Sequence, residues 1–250
     1  MNKYILLLFF SFSLFNYAQD SLPKVNASNS KLKVKHFIIP TVLMTSGLIL
    51  RDADLKKDVY EFHTNALGNR FRFKGDDYLQ CAPTTLAVLG KYMGFQSENS
   101  WEQLCTNQIV SLTISGLISR TIKQEVNDKR PELYGVRSFP SGHTTTVFNA
   151  ATLMFLEFKD DNIWFASSGY LFATATAFFR VTNEKHWVAD VSFGAGLGMA
   201  TAFIVHYWSP NLYKYVEKYI YKPKNKNITF LPYPVIQNNN YGMGLVLNLK

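Results

Sequence analysis

The chain has 250 residues, 47% hydrophobic and 15% aromatic, which is enough for one sizeable core with short appendages. Its formal net charge of +8 and pI near 9.3 favour an anionic partner, such as a phosphorylated substrate, an anionic lipid surface or a nucleic acid. The mean hydropathy of −0.05 is low for a protein built entirely of membrane-spanning helices and argues against that class.

The N-terminus has the pattern of a secretory signal peptide. Lys3 supplies a positive region, residues 4–15 are apolar, and Ala18 and Gln19 offer a cleavage site. The apolar stretch is too short to span a bilayer comfortably, so an uncleaved anchor is the less favoured alternative. We expect an exported protein whose signal peptide covers residues 1–19 and precedes a flexible basic lead-in at residues 20–35.

Six apolar segments separated by polar turns follow. Their length and small-residue content favour helices over strands. They cover residues 36–50, 81–95, 101–122, 142–158, 163–180 and 186–208. The sequence therefore predicts an all-α fold, a helical bundle of roughly six core helices at residues 36–208 with its catalytic core at 76–208. Residues 163–179 and 191–208 are borderline in length for crossing a membrane, so we expect a bundle with one face against a membrane rather than a full spanning set.

The C-terminal region changes in composition. Residues 209–227 interleave tyrosine with lysine, which suits either a membrane interface or a solvated amphipathic helix. Residues 228–250 place an Asn-rich centre between two apolar runs, and this arm predicts a short β-hairpin or an extended segment.

The two cysteines, Cys81 and Cys105, fall in separate predicted helices. In an exported chain they could form a disulfide, and the alternative is two small buried apolar side chains. No spacing in the sequence resembles a zinc site.

One histidine–carboxylate pair has a direct geometric meaning. His186 and Asp190 are four residues apart, so on a helix they share a face. Asp190 could accept a hydrogen bond from one ring nitrogen and leave the other nitrogen free as a nucleophile or base. A surface His–Asp pair of no consequence is the alternative, but the small apolar residues that follow predict a buried helix.

A second group of residues suits one anion. Lys123, Arg130 and Arg180 carry positive charge near predicted helix ends, and guanidinium forks match phosphate oxygens. The turn before His143 supplies Ser141, Gly142 and the free amides of a helix N-terminus, which favour an oxyanion. His143 then stands beside that anion, where it could transfer a proton.

Three segments resemble, in order, the signatures of the type 2 phosphatidic acid phosphatase superfamily. They read KQEVNDKRP (123–131), FPSGH (139–143) and FRVTNEKHWVAD (179–190). The superfamily also includes nonspecific acid phosphatases and vanadium-dependent haloperoxidases. One departure is that Phe179 stands where the superfamily usually has a serine, which would remove one hydrogen bond to phosphate.

The resemblance implies a role for each matching residue. His186 would attack phosphorus and form a phosphohistidine, Asp190 would orient it, and His143 would protonate the leaving oxygen and then activate water. The phosphate oxygens would be held by Lys123, Arg130, Ser141, Gly142 and Arg180. Neither a metal nor another cofactor is implied, because the cations supply the positive charge.

We therefore expect an exported phosphatase that faces the periplasm, associates with a membrane and hydrolyses a lipid phosphate monoester, with a lipid A type substrate preferred. The alternatives are a soluble periplasmic acid phosphatase, an undecaprenyl-diphosphate phosphatase and, remotely, a haloperoxidase. Nucleic-acid binding is not expected, because the cations cluster at helix ends rather than over a surface.

The remaining polar residues are given no chemistry. Arg137 could touch the substrate, but a solvated loop arginine is favoured, and Arg120 is interpreted as a helix-surface charge. Asp76 and Asp77 are interpreted as acidic residues that favour a helix N-terminus. Three histidines are interpreted as structural: His36, His63 and His206.

Overall fold

The computed structural model describes residues 32–52, 61, 73–131, 135–219, 228–237 and 240–249. The predicted signal peptide, most of the lead-in and His63 lie outside these residues. Within them, the chain forms a 3-10 helix at Val34–Phe37 and seven α-helices. The helices are α1 (Ile38–Ile49), α2 (Asp76–Leu79), α3 (Ala82–Tyr92), α4 (Trp101–Val126), α5 (Gly142–Phe158), α6 (Ile163–Thr182) and α7 (Val188–Tyr219).

The predicted all-α bundle is confirmed, and each of the six predicted segments overlaps one of these helices. The short helix α2 was not predicted as a separate element. Helix α4 also continues four residues past its predicted end at residue 122.

Local sequence signals set the helix ends. Ser100 begins α4 by accepting a hydrogen bond from the Gln103 amide, and the Gln103 side chain completes a capping box. Asn127 ends α4 in the left-handed conformation at φ 47°, which asparagine tolerates better than most residues. Asn162 begins α6 by accepting from the Phe165 amide. The loop that follows α4 is therefore fixed at its start, and it leads directly to the site.

Helix α5 is the centre of the bundle and packs against α3, α4 and α6. Twelve of its seventeen residues are buried. At its C-terminal end, Met154 and Phe158 form an apolar cluster with Ala87, Leu104 and Ala166 from the three neighbouring helices. This burial holds the N-terminal turn of α5, and therefore His143, in a fixed position.

Helix α7 approaches α5 through glycines. A Cβ atom added at Gly198 would lie 2.3 Å from the Thr145 carbonyl oxygen, and one added at Gly194 would lie 2.8 Å from the Ser141 carbonyl oxygen. These separations are too short for any side chain, so the small residues after Asp190 allow the two backbones to pack directly. The close contact brings the start of α7, with His186 just before it, to the N-terminal turn of α5.

In the described part of the chain, one helix, Val188–Pro210, is long and apolar enough to cross a membrane, with a mean hydropathy of 1.6. Of its most apolar window, 67% is buried inside the protein. The other segment of borderline length, residues 163–179, does not meet the same criterion.

The chain divides into two compact units at Ser209 and Pro210. In the second unit, strands β1 (Ile228–Gln237) and β2 (Asn240–Leu249) pair antiparallel. Ile228 lies opposite Leu249, and Gln237 lies opposite Asn240. This pairing matches the hairpin, one of the two alternatives predicted for the C-terminal arm.

The two cysteines are free thiols in the structure. Cys81 is exposed at the N-cap of α3, and Cys105 is partly buried on α4. The disulfide is therefore not formed, and a buried apolar role for Cys81 is also wrong, because α3 begins at the surface there.

Candidate active site

His186 and Asp190 form the buried pair that their spacing predicted. The His186 Nδ1 atom lies 3.3 Å from Asp190 Oδ2, and both side chains are at most 2% exposed. The Asp190 carboxylate is fixed from two more directions, by the Trp187 amide at 3.0 Å and by a short contact with the Ser138 hydroxyl. A proton on Nδ1 is held by this carboxylate, so Nε2 is left as the unprotonated nitrogen.

Burial dominates the titration of His186. It lowers the pKa of the imidazole to about 4, with smaller decreases from Lys123 and Arg180, while the hydrogen bond and the charge of Asp190 oppose the shift. His186 is therefore neutral at ordinary pH, which is the form that a nucleophile requires.

Lys123 comes from the last turn of α4. Its Nζ atom donates to the carbonyl oxygens of Arg137 and Ser138, each at 3.1 Å. Burial, and to a lesser extent the charges of Arg130 and Arg180, lower its pKa to about 8, while the charge of Asp190 opposes the shift. The effect of Arg130 and Arg180 on this amine means that the three predicted cations lie in one region.

Arg180 lies near the C-terminal end of α6 and is 6% exposed. Its Nη1 atom donates to Asp76 Oδ2 at 3.0 Å and to Asp77 Oδ1 at 3.3 Å. Its Nε atom is buried without a hydrogen-bond partner among the described residues. A buried donor in that condition is costly, and a phosphate oxygen would satisfy it.

His143, in the first turn of α5, faces a carboxylate. Its Nε2 atom lies 2.9 Å from Asp77 Oδ1. Burial and then Arg180 lower the pKa of His143 below its usual value, while Asp77 and Asp76 act in the opposite direction.

The turn before α5 is held in place by backbone and hydroxyl contacts. The Ser141 amide donates to the Asp190 carbonyl oxygen at 3.0 Å, which ties the second motif to the third. Ser141 is fully buried, and its Oγ accepts from Thr144 Oγ1 at 2.9 Å. A Cβ atom added at Gly142 would lie 3.9 Å from Lys123 Cε, so Gly142 borders the lysine.

The loop between α4 and α5 is anchored by a residue outside the motifs. Arg51 Nε donates to Asp128 Oδ2 at 2.8 Å, and the Asp128 carbonyl oxygen accepts from the Ser138 amide at 2.8 Å. Arg130, in the same loop, donates its amide to the Gly135 carbonyl oxygen at 2.9 Å.

A cavity of about 290 Å³ opens beside these residues. It is lined by Gln80, Gly116, Ser119, Arg120, Lys123, Gly142, His143 and Thr146. Arg120 was interpreted as a surface charge, and it is exposed but also borders this cavity. Arg137 is exposed as expected, and it reaches the site through its carbonyl oxygen.

The interpretation of Asp76 and Asp77 as helix-end charges missed their main contacts. Both bond to Arg180, and Asp77 also bonds to His143. Ser138 was missed as well, although it directly precedes the FPSGH segment. For Asp76 and Asp77, the available signal in the sequence was two adjacent acidic residues at a predicted helix start. That signal did not indicate which residues they would contact.

His36 and His206, the other two histidines in the described part of the chain, have partners outside this cluster. His36 stacks on Tyr207 with ring centroids 4.9 Å apart, and His206 Nε2 lies 3.3 Å from Glu98 Oε2. His206 thus has a partner that sequence reasoning did not find. Among the described residues, no group of three or more His, Cys, Asp or Glu side chains is arranged to hold a metal ion.

The family model for the PAP2 superfamily matches residues 104–214, a range that includes all eight predicted site residues. The match covers less than half of the chain, and it confirms the resemblance to this superfamily that the three motifs predicted.

Two curated relatives are similar in sequence. The lipid A 1-phosphatase of Porphyromonas gingivalis is 28% identical over 185 residues, which is 74% of this chain and 41% of that protein. The chain therefore spans less than half the length of this relative. The bacitracin transport permease protein BcrC of Bacillus licheniformis is 28% identical over 160 residues, 60% of this chain and 68% of that protein.

A solved structure is similar in fold. The transmembrane PAP2 type phosphatidylglycerolphosphate phosphatase of Bacillus subtilis gives a TM-score of 0.52 at 16% identity, over 72% of this chain and 96% of that chain. At this identity the likeness concerns the helical fold alone.

Proposed function

We propose that the chain is a metal-independent phosphoric monoester hydrolase that acts on a phosphorylated lipid through a phosphohistidine. The observation that carries the proposal is the buried His186–Asp190 pair, which leaves Nε2 of a neutral imidazole beside Lys123 and Arg180. A neutral nucleophile next to preset cations is what attack on a phosphate ester requires.

The reaction consists of two displacements. In the first, His186 Nε2 forms a bond to phosphorus as the ester P–O bond breaks, and His143 gives its proton to the leaving oxygen. In the second, His143 takes a proton from water, the water oxygen bonds to phosphorus, and the N–P bond breaks. Lys123, Arg130, Arg180 and the amides at the start of α5 stabilise the charge on the phosphate oxygens in both steps.

Two of the proposed phosphate ligands, Arg180 and Lys123, would contribute in different ways. Arg180 offers a buried Nε donor, and Lys123 offers a charge that titrates near pH 8. Ser141, which is fully buried and accepts from Thr144, supports the turn and retains its own hydroxyl proton as a donor. Because Gly142 has no side chain, the backbone beside Lys123 stays accessible.

We propose a lipid substrate, with the 1-phosphate of a lipid A type molecule preferred. The name of the Porphyromonas gingivalis relative supports this choice. A second support is the apolar surface of the bundle, since large apolar side chains are exposed on α1, α4, α6 and α7. Examples are Ile39, Val42, Leu117, Leu171, Ile204 and Trp208.

That surface also supports attachment to a membrane, because soluble proteins rarely expose so many large apolar side chains on several helices. We propose that the site faces away from the cytoplasm, on the basis of the signal-like N-terminal sequence. Fractionation of cells that express the full chain, with salt and carbonate washes of the membranes, tests the attachment. Recovery of the whole protein in the periplasmic extract would contradict it.

The activity is tested by phosphate release from the purified full chain in detergent. The substrates are lipid A, phosphatidylglycerol phosphate, undecaprenyl diphosphate and p-nitrophenyl phosphate. We expect release from lipid A to be fastest, and none from any substrate with His186→Ala. A faster reaction with the soluble ester than with every lipid would favour a soluble acid phosphatase instead.

The intermediate is tested separately. Brief reaction with a lipid substrate labelled at phosphorus, followed by an alkaline quench, should leave label on the wild-type chain and none on His186→Ala. Label on both chains, or on neither during steady turnover, would contradict a phosphohistidine at this position.

A further inference from the structure

The candidate site contains a second histidine–carboxylate pair that the reaction as described does not use. Asp77 Oδ1 lies 2.9 Å from His143 Nε2 and 3.3 Å from Arg180 Nη1. One carboxylate oxygen therefore accepts from the proposed general acid and from a proposed phosphate ligand. The Asp77 side chain is 64% exposed, whereas His143 is 30% exposed, so the pair lies at the mouth of the site.

Asp77 is held in this position through the hydrogen bonds of the neighbouring residue, Asp76. Asp76 is 3% exposed and accepts from Arg180 at 3.0 Å and from Asn183 Nδ2 at 3.1 Å. Asn183 also bonds to both the amide and the carbonyl of Phe73, each at 2.8 Å. These contacts tie residues 73–77 to the end of α6.

Phe179 contributes to the same attachment. Its ring centroid lies 4.2 Å from that of Phe73. The Phe179 ring thus adds an aromatic contact to the segment that carries Asp77.

We propose that Asp77 is a positioning residue for His143. Its carboxylate directs Nε2–H toward the phosphate site and stabilises the protonated ring, until the oxygen of a bound ester takes over the same hydrogen bond. Because His143 is the acid only if the chain is a phosphatase, this role rests on the proposed function. The arrangement is the reverse of that at His186. There the carboxylate binds Nδ1 and leaves Nε2 without a proton, whereas Asp77 binds Nε2 of His143.

The charged groups around His143 come from three elements. Asp76 and Asp77 face it from α2, Arg180 from α6, and Lys123 and Arg120 border the same cavity from α4. Burial and Arg180 lower the pKa of His143, and the two aspartates raise it. Removing the charge of Asp77 should therefore lower this pKa further and reduce the protonated fraction at a given pH.

The first test does not require turnover. The ring of His143 is titrated by NMR in the full chain, with its signals assigned by comparison with His143→Gln. We expect the midpoint in Asp77→Asn to move to lower pH, and the midpoint in the control Asp160→Asn to stay unchanged. Asp160 is a suitable control because it is an exposed carboxylate paired with Lys159 at the far end of α5. An unchanged midpoint in Asp77→Asn would overturn the proposal.

The second test uses kcat/KM as a function of pH, which reports the free enzyme. With an alkyl phosphate, Asp77→Asn should lose about tenfold or more, and its alkaline limb should move to lower pH, because general acids contribute factors of this size or larger. With p-nitrophenyl phosphate, which has a good leaving group, the loss should be small. Asp77→Glu should recover part of the alkyl phosphate activity.

An equal loss with both substrates, accompanied by a lower Tm, would mean that Asp77 only supports the fold and would overturn the proposal. If the alkaline limb of the pH profile does not move and inorganic phosphate binds more tightly, Asp77 merely blocks the anion site. That result would also overturn the proposal. If the wild-type chain hydrolyses neither ester, the proposed phosphatase function fails, and the NMR titration still decides whether Asp77 governs the protonation of His143.

Discussion

The titration of Lys123 makes a quantitative prediction about anion binding. Its pKa of about 8 falls inside the range that a binding assay can cover, whereas burial lowers the pKa of His143 from its usual value and lowers that of His186 to about 4. Arginines stay charged throughout. Between pH 7.5 and 9.5, Lys123 is thus the predicted phosphate ligand whose charge changes, and inorganic phosphate is mostly a dianion.

The size of the effect follows from that pKa. The charged fraction of Lys123 falls from about three quarters at pH 7.5 to a few per cent at pH 9.5. Because bound phosphate keeps the amine charged, the inhibition constant Ki of phosphate should rise up to about 25-fold over this range. The rise in Ki cannot exceed the whole contribution of the ammonium group to phosphate affinity, which is about tenfold to a hundredfold for a hydrogen bond to a charged group.

The assay is competitive inhibition of p-nitrophenyl phosphate hydrolysis by inorganic phosphate. Lys123→Met keeps the length of the side chain without charge, so its Ki should be high and independent of pH, and the wild-type curve should converge on it. Lys91→Met is the matched control, because Lys91 is a half-buried lysine that also donates to a carbonyl, near the opposite end of α5. A wild-type Ki that stays constant up to pH 9.5 would refute the reasoning.

Three further predictions concern packing, the nucleophile and metals. Gly198→Ala should lower the Tm, since its methyl group meets an α5 carbonyl oxygen at 2.3 Å and overpacking costs about 1–3 kcal/mol. In the control variant Gly116→Ala, the added methyl group meets nothing within 4 Å, so the variant should be more stable by up to about 1 kcal/mol. Equal effects of the two substitutions on stability would contradict the close packing. Asp190→Asn should lower kcat about a thousandfold with every substrate, because an amide no longer selects the tautomer, and a loss restricted to poor leaving groups would count against this. Activity should survive EDTA and be blocked by vanadate, and recovery only on adding Mg²⁺ or Zn²⁺ would exclude the metal-independent reaction.

The bundle was predictable because its signals are local. Apolar segments of helical length, Ser100 with Gln103, and Asn162 all mark helices within a few residues of one another. The pairing of His186 with Asp190 was predictable for the same reason, since four residues on one helix set the geometry.

The missed contacts are those that depend on the packing of distant segments. Asp76 and Arg180 are 104 positions apart, and Ser138 and Asp190 are 52 apart. An acidic pair at a helix start has a sufficient local explanation in the helix dipole, so nothing in the sequence called for another partner. Likewise, the aromatic contact between Phe73 and Phe179 depends on the approach of two segments that are distant in the sequence.

The charges of the site nearly balance before any substrate arrives. Lys123, Arg130 and Arg180 supply three positive charges, Arg120 adds one at the border of the cavity, and Asp76, Asp77 and Asp190 supply three negative ones. A phosphate ester adds nearly two negative charges, so the loaded site favours a proton on His143. Asp76 and Asp190 are buried and fixed by several hydrogen bonds, and neither can leave at low cost. Asp77 is mostly exposed, so water can solvate its carboxylate when the ester displaces it from His143. Because of this exposure, Asp77 is the carboxylate that the substrate can replace as the hydrogen-bond acceptor of His143. Until that replacement, Asp77 keeps the proton of His143 on Nε2.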